Sequence, residues 1–192
     1  MSQVSQRRMH QQGGFTLIEL MIATAIGLVV LTGLTSVLFT TYQANQIATS
    51  RVEASGQIRN FEETAYDDFA LSSLPPTPGS CGSSGQPPCT QDSIQLKGCG
   101  MTNSATPSLQ SRTIAYAWNV GTQSIDRHVN AGPANPVASS VTAFSWYIDG
   151  VAPSQSVVVT MTVTISTYSQ TQTLRFHPRV VSQLPQYVAS PC

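Results

Sequence analysis

Gly13-Gly14-Phe15-Thr16-Leu17-Ile18-Glu19-Leu20, with the apolar run that carries it on to Phe39, is the stretch on which the reading of this chain turns. From Phe15 to Phe39 the only charged residue is Glu19. A helix of that length spans roughly 37 Å at about 1.5 Å per residue, enough to cross a hydrocarbon core of about 30 Å with some tilt. A plain membrane anchor leaves Glu19 unexplained. A carboxylate a few residues into an apolar helix costs on the order of 3 kcal/mol, so it demands a partner. A cut just before Phe15 would supply one, because the new α-amine would lie about one helical turn from the Glu19 carboxylate.

An ordinary secretory signal has an apolar region of about 7–15 residues, closed by a small-residue cleavage site. The present run is too long for that, and its glycines stand on the wrong side. Arg7 and Arg8 precede the run and the next basic residue, Arg51, comes well after it. Positive charge inside therefore keeps the leader cytoplasmic and places everything after about Phe39 outside. A short polar leader, then Gly-Phe-Thr-Leu-Ile-Glu-Leu and a long apolar helix, resembles the class III signal of type IV pilins and their relatives. The resemblance implies that a prepilin peptidase cuts between Gly14 and Phe15 and methylates Phe15. It also implies that Glu19 pairs with the N-terminal amine of a neighbouring subunit during assembly. The partners so implied are that peptidase, other minor pilins, the major pilin and an inner-membrane assembly platform, with membrane lipid around the helix before assembly. The implied location is the bacterial inner membrane, single-pass with a periplasmic C-terminal domain, and then the pilus tip.

Composition fits an outer compartment. Charged residues make up 9% of the 192, against roughly 25% in ordinary soluble domains. Nine basic residues balance nine acidic ones; without Arg7 and Arg8 the count is seven against nine, or −2. No charge run remains to recruit nucleic acid or an acidic membrane surface. Cys81, Cys89, Cys99 and Cys192 all fall on the outer side, and an even number there reads as two disulfides with three possible connectivities. Cys81 and Cys89 are too far apart for a zinc finger's close cysteine pair, and neither His128 nor His177 sits in a ligand pair. No metal or other cofactor is expected.

Four segments follow. Residues 1–14 form the leader and 15–39 the membrane half of an N-terminal helix. Within that half Ala23 and Gly27 make a small-xxx-small pair that lets another helix approach closely. Residues 40–72 continue the helix as an amphipathic half: Ile47, Arg51 or Val52, Ser55, Ile58, Phe61 or Glu62, Ala65 and Phe69 recur at steps of three and four. Ile58, Phe61 and Phe69 should be buried. Glu53, Arg59, Glu62, Glu63, Asp67 and Asp68 should form a solvated face, with a calcium or partner-charge role as the alternative. Residues 73–192 form a disulfide-containing β-domain with an irregular tail. It opens with a Pro-, Gly- and Ser-rich loop over residues 75–88.

The expected strands are residues 93–96, 113–120, 124–128, 141–148, 156–166 and 171–177. The fifth alternates Val157, Val159, Met161, Val163 and Ile165 against Thr160, Thr162 and Thr164, a period of two. The fold class is α+β: a long N-terminal helix packed on one antiparallel sheet, as in type IV pilins. Within that class, the stretch from Tyr116 to Arg127 and the following Val141-Thr-Ala-Phe-Ser-Trp-Tyr resemble PilW-type minor pilins and J-type pseudopilins.

No nucleophile motif accompanies either downstream histidine, so the chain reads as no enzyme, without catalytic residues. Arg112, Arg127, Arg175 and Arg179 could gather on one surface, but the charge balance argues against direct nucleic-acid binding. The expected function is that of a minor pilin that starts and caps a type IV pilus. The alternatives are a J-type pseudopilin of a type II secretion system and a competence minor pilin that contacts DNA.

Overall fold

No proline interrupts the chain between Leu17 and Ala70, and in the computed structural model these 54 residues form one helix, α1 (Leu17–Ala70). The structure describes residues 14–76, 79–83, 85–90, 93–101, 109–151 and 154–178. The chain divides into two units, Met1–Gln46 and Ile47–Cys192. The second unit holds the end of α1 and eight strands: β1 (Cys89–Thr90), β2 (Ile94–Met101), β3 (Leu109–Asn119), β4 (Ser124–Val129), β5 (Asn135–Ala138), β6 (Val141–Asp149), β7 (Ser156–Ile165) and β8 (Tyr168–Phe176).

The α+β class holds, but the strands divide into two four-stranded antiparallel sheets instead of one. Their orders are β2-β3-β4-β5 and β1-β6-β7-β8. The chain passes from the first sheet to the second at Ser139-Ser140, where Ser140 takes a φ of 58°. Two of the eight strands, β1 and β5, are too short to leave a periodic signal, and β5 carries Pro136. The apolar spacing of three from Val141 to Phe144 is resolved by a register shift between Val141 and Ala143, which returns both side chains to the buried face.

Helix α1 buries Ala54, Ile58, Phe61, Ala65 and Phe69, one row at steps of four, three, four and four. Ile47, Val52 and Ser55 do not join it. Ile47 and Val52 are exposed, and the buried row runs through Ala54 in place of Ser55. Phe61 makes edge contacts with Tyr116 of one sheet and with Phe144 and Phe176 of the other, at centroid distances of 5.6, 6.3 and 6.3 Å. Phe69 stacks on Phe176 at 4.5 Å and on Tyr116 at 6.1 Å. These two rings therefore hold both sheets to the helix. The core also includes Ile94, Leu96, Ile114 and Ile125 from one sheet, and Val141, Trp146, Val157, Val159, Met161 and Val163 from the other. The threonines of β7 lie on the opposite face. There Thr160, Thr162 and Thr164 share hydroxyl hydrogen bonds with Thr173, Thr171 and Ser169 of β8.

The helix ends in contact with a sheet. Ser72 pairs with Gly98 of β2, and a Cβ at Gly98 would come within 2.5 Å of the Leu71 carbonyl. Only glycine allows that approach. A disulfide joins Cys81 to Cys89 across the Pro- and Gly-rich loop. The second expected disulfide is not decided by the fold, because the Cys99 side chain and all of Cys192 lie outside the described residues, as does the C-terminal tail.

Candidate functional site

The first unit carries the expected processing and assembly residues. Thr16 stands just before α1 and Glu19 in its first turn. The Glu19 carboxylate accepts from the Thr16 backbone N–H at 3.3 Å and from the Thr16 hydroxyl at 3.2 Å, while the Glu19 N–H donates to that hydroxyl at 3.4 Å. This is a capping box: a threonine at the N-cap and a glutamate three residues on satisfy each other's free groups. A carboxylate at that end also suits the helix dipole. Besides the N-terminal amine expected for Glu19, the structure gives it Thr16, and the sequence signal for that partner is Thr-x-x-Glu before an apolar run. Gly14 and Phe15 precede the cap, with open space around a Cβ at Gly14 and Phe15 exposed.

Beyond the cap, α1 is apolar enough over 18 residues to cross a membrane, and among the described residues that window is exposed. Five threonine hydroxyls are satisfied within the helix. Thr24, Thr32, Thr35, Thr40 and Thr41 each donate a hydroxyl hydrogen bond to a carbonyl three or four residues back. In hydrocarbon, where no water is available, such internal bonds remove the cost of a bare hydroxyl. Ala23 is exposed, and a Cβ at Gly27 would meet open space.

The second unit gathers charges that the sequence reading had assigned elsewhere. Asp68 is 2% exposed, so the expectation of a solvated acidic face fails for this residue. Its carboxylate accepts from Arg127 Nε at 2.6 Å, Arg127 Nη2 at 2.9 Å, Arg112 Nη2 at 3.0 Å and the Tyr116 hydroxyl at 2.5 Å. Its hydrogen bonds to Asp68 hold the Arg127 guanidinium more firmly protonated than usual. Burial, then the Asp68 charge, raises the Tyr116 hydroxyl above its ordinary pKa. The buried carboxylate takes bonds from two guanidinia and a phenol, leaving only Arg112 Nε of the cluster buried without a partner, and it fastens the last turn of α1 to β3 and β4. It presents no nucleophile.

That network also decides the fate of the arginines. Arg112 and Arg127 serve Asp68, and Arg175 bonds Asp149 at 2.6 Å and Ser156 at 2.8 Å. Arg179 lies outside the described residues. His128 Nδ1 is 3.1 Å from the Gly132 carbonyl, and His177 is exposed at the end of β8. Among the described residues no three His, Cys, Asp or Glu side chains converge on a point that could hold a metal ion.

A family model described as the prokaryotic N-terminal methylation motif matches residues 9–35. No curated protein and no solved structure matches the chain. The matched residues enclose Gly14, Phe15, Thr16 and Glu19, and the motif supports a type IV prepilin-like protein, pilin or pseudopilin. It implies processing by a prepilin peptidase, and the single apolar N-terminal helix is consistent with a membrane-anchored pilin.

Proposed function

We propose that this chain is a minor pilin, a structural subunit that joins a small priming complex and caps a type IV pilus. The observation that carries the reading is the juxtaposition of a methylation motif with a helix whose first half is apolar and, among the described residues, exposed. Such a surface finds its cover in lipid first and in neighbouring helices afterwards. The leader keeps the protein in the inner membrane until the peptidase cuts between Gly14 and Phe15 and methylates Phe15. Glu19 then sits near the free end of the helix, costly in lipid and favourable against the amine of a neighbour. Ala23 and Gly27 offer the close approach for that neighbour's helix. The β-domain, with its Cys81–Cys89 clip, faces outward and contributes no chemistry.

Processing and assembly separate in two variants. Gly14→Ala, or a bulkier residue, should leave the uncut precursor in the membrane; normal processing there refutes the cleavage assignment. Glu19→Ala should be cut at the normal site, read by the mass of the N-terminal peptide, and yet be depleted from sheared filaments.

The J-type pseudopilin is the runner-up. Its hairpin resemblance includes Arg127, which here ties β4 to Asp68, a structural duty that either kind of filament can use. Deletion of the gene separates the two readings, since lost protein secretion with unchanged surface piliation would exclude the pilus role.

A further inference from the structure

The loop that carries the Cys81–Cys89 bond closes one edge of a sheet. Strand β1 is its last two residues, Cys89 and Thr90, which pair with Trp146 and Ser145 of β6. Further along β6 the Ile148 N–H donates to the Gly82 carbonyl at 2.8 Å. Backbone groups of a strand point to alternate sides, so Ile148 and Trp146 both direct theirs to this edge, while Ser145 and Tyr147 direct theirs to β7. Gly82 meets Ile148 and Cys89 meets Trp146. A strand covered in this way is shielded from pairing with another chain.

By composition the cover has little to hold it there. The loop is rich in Gly, Pro and Ser, and Gly82 and Gly85 take positive φ, at 75° and 83°. Gln86, Pro87, Pro88 and Thr90 are exposed. Among the described residues from 79 to 90, the side chains that pack on the hydrophobic core are those of Cys81 and Cys89. Fixing a loop of this kind for so few hydrogen bonds is unfavourable unless something orders it beforehand. The Cys81–Cys89 bond does so. It closes a ring over a sequence separation of 8, with Gly82 next to one sulfur and the Cys89 main chain at the other. Those are the two points that meet β6. Closing a ring of this size removes competing loose conformations by a factor on the order of a hundred.

We propose that the Cys81–Cys89 bond is a redox latch on the β6 edge. With the bond formed, the edge is closed at Trp146 and Ile148; with the bond reduced, the cover lifts and that edge opens. Strand β6 keeps its place in the sheet, because its other side pairs with β7 from Val141 to Asp149. Cys81 is the sulfur open to attack, since it is part-buried and Cys89 is fully buried. A dithiol reductant attacks the Cys81 sulfur, and Cys89 leaves as a thiolate and takes a proton. The second thiolate of the reductant then attacks the reductant's own sulfur and releases Cys81, which is protonated in turn. Two electrons have passed to the latch, and the reductant has closed its own disulfide. The oxidising compartment expected for this domain keeps the latch formed, and a chain not yet oxidised stands open. The latch itself does not depend on the pilin reading.

Hydrogen exchange of the isotope-labelled full-length chain in detergent micelles reads the edge residue by residue, before and after dithiothreitol. The amides of Trp146 and Ile148 should exchange about a hundredfold faster after reduction. Those of Ser145 and Tyr147 should keep their rates. The double variant Cys81→Ala with Cys89→Ala should match the reduced chain without any reductant, which separates this bond from Cys99 and Cys192. Mass after alkylation counts the thiols set free. Unchanged rates at Trp146 and Ile148 with both thiols free overturn the latch. So does equal acceleration through β6, β7 and β8, which would make the bond a general stabiliser of the domain. A double variant that exchanges like the oxidised chain overturns it as well. Should the bond resist dithiothreitol, the double variant decides alone; should the variant fail to fold, reduction of the native chain decides.

Discussion

Asp68 lies in the last turn of α1, where the helix dipole favours cations and a carboxylate is out of place. Two guanidinia and a phenol offset that cost only while all four groups are present. Asp68→Ala would leave the part-buried Arg112 and Arg127 without their shared carboxylate. It should destabilise the domain by about 3–5 kcal/mol, measured by urea denaturation. The Tyr116 hydroxyl, pushed above its ordinary value of about 10, sets the alkaline limit of the same network. The unfolded chain loses this proton first as pH rises, so the contribution is complete below about pH 10 and declines above it. Tyr116→Phe should flatten the loss of stability above pH 10, and an unchanged alkaline slope would remove Tyr116 as its source. None of this was legible in the acidic run Glu62, Glu63, Asp67 and Asp68. Which carboxylate turns inward is decided by arginines 44 and 59 residues away. Glu19 is the opposite case, since its partner stands three residues before it.

Helix α1 was readable because its signal is local: no proline, an apolar run, and then a row at helical spacing. The row's upper end was misplaced, since Ile47 and Val52 are as apolar as Ile58 but burial starts at Ala54. Where the sheets begin to cover the helix is a property of the sheets. Likewise, nothing in the sequence marks Ser140 as the point where one sheet gives way to the next, because a serine at positive φ is chosen by its surroundings and not by its own preference. The element-level consequence is uneven sensitivity along one face of α1. Phe61→Ala removes a ring that touches both sheets and should cost about 3–5 kcal/mol. Val52→Ala, at 74% exposure, should stay within about 0.5 kcal/mol. Equal losses at the two positions would mean that the sheets grip the helix lower than the buried row indicates.

For the whole chain, charge is scarce and much of it is paired: Arg59 with Glu63, Arg175 with Asp149, and Arg112 and Arg127 with Asp68. Attachment to a membrane therefore rests on the apolar half of α1. The protein should stay with membranes through washes in high salt and at alkaline pH and come off in detergent; release by salt alone would indicate an ionic hold. This much was plain from composition.

Thr24, Thr32, Thr35, Thr40 and Thr41 turn their hydroxyls back onto carbonyls of their own helix. Exchanging lipid for neighbouring helices then asks none of these bonds to break. In the proposed assembly the membrane half of α1 moves between two apolar solvents of nearly equal quality, so the transfer itself is close to balanced and runs as easily backward as forward. Direction has to come from the one charged group along residues 17–39, the carboxylate of Glu19.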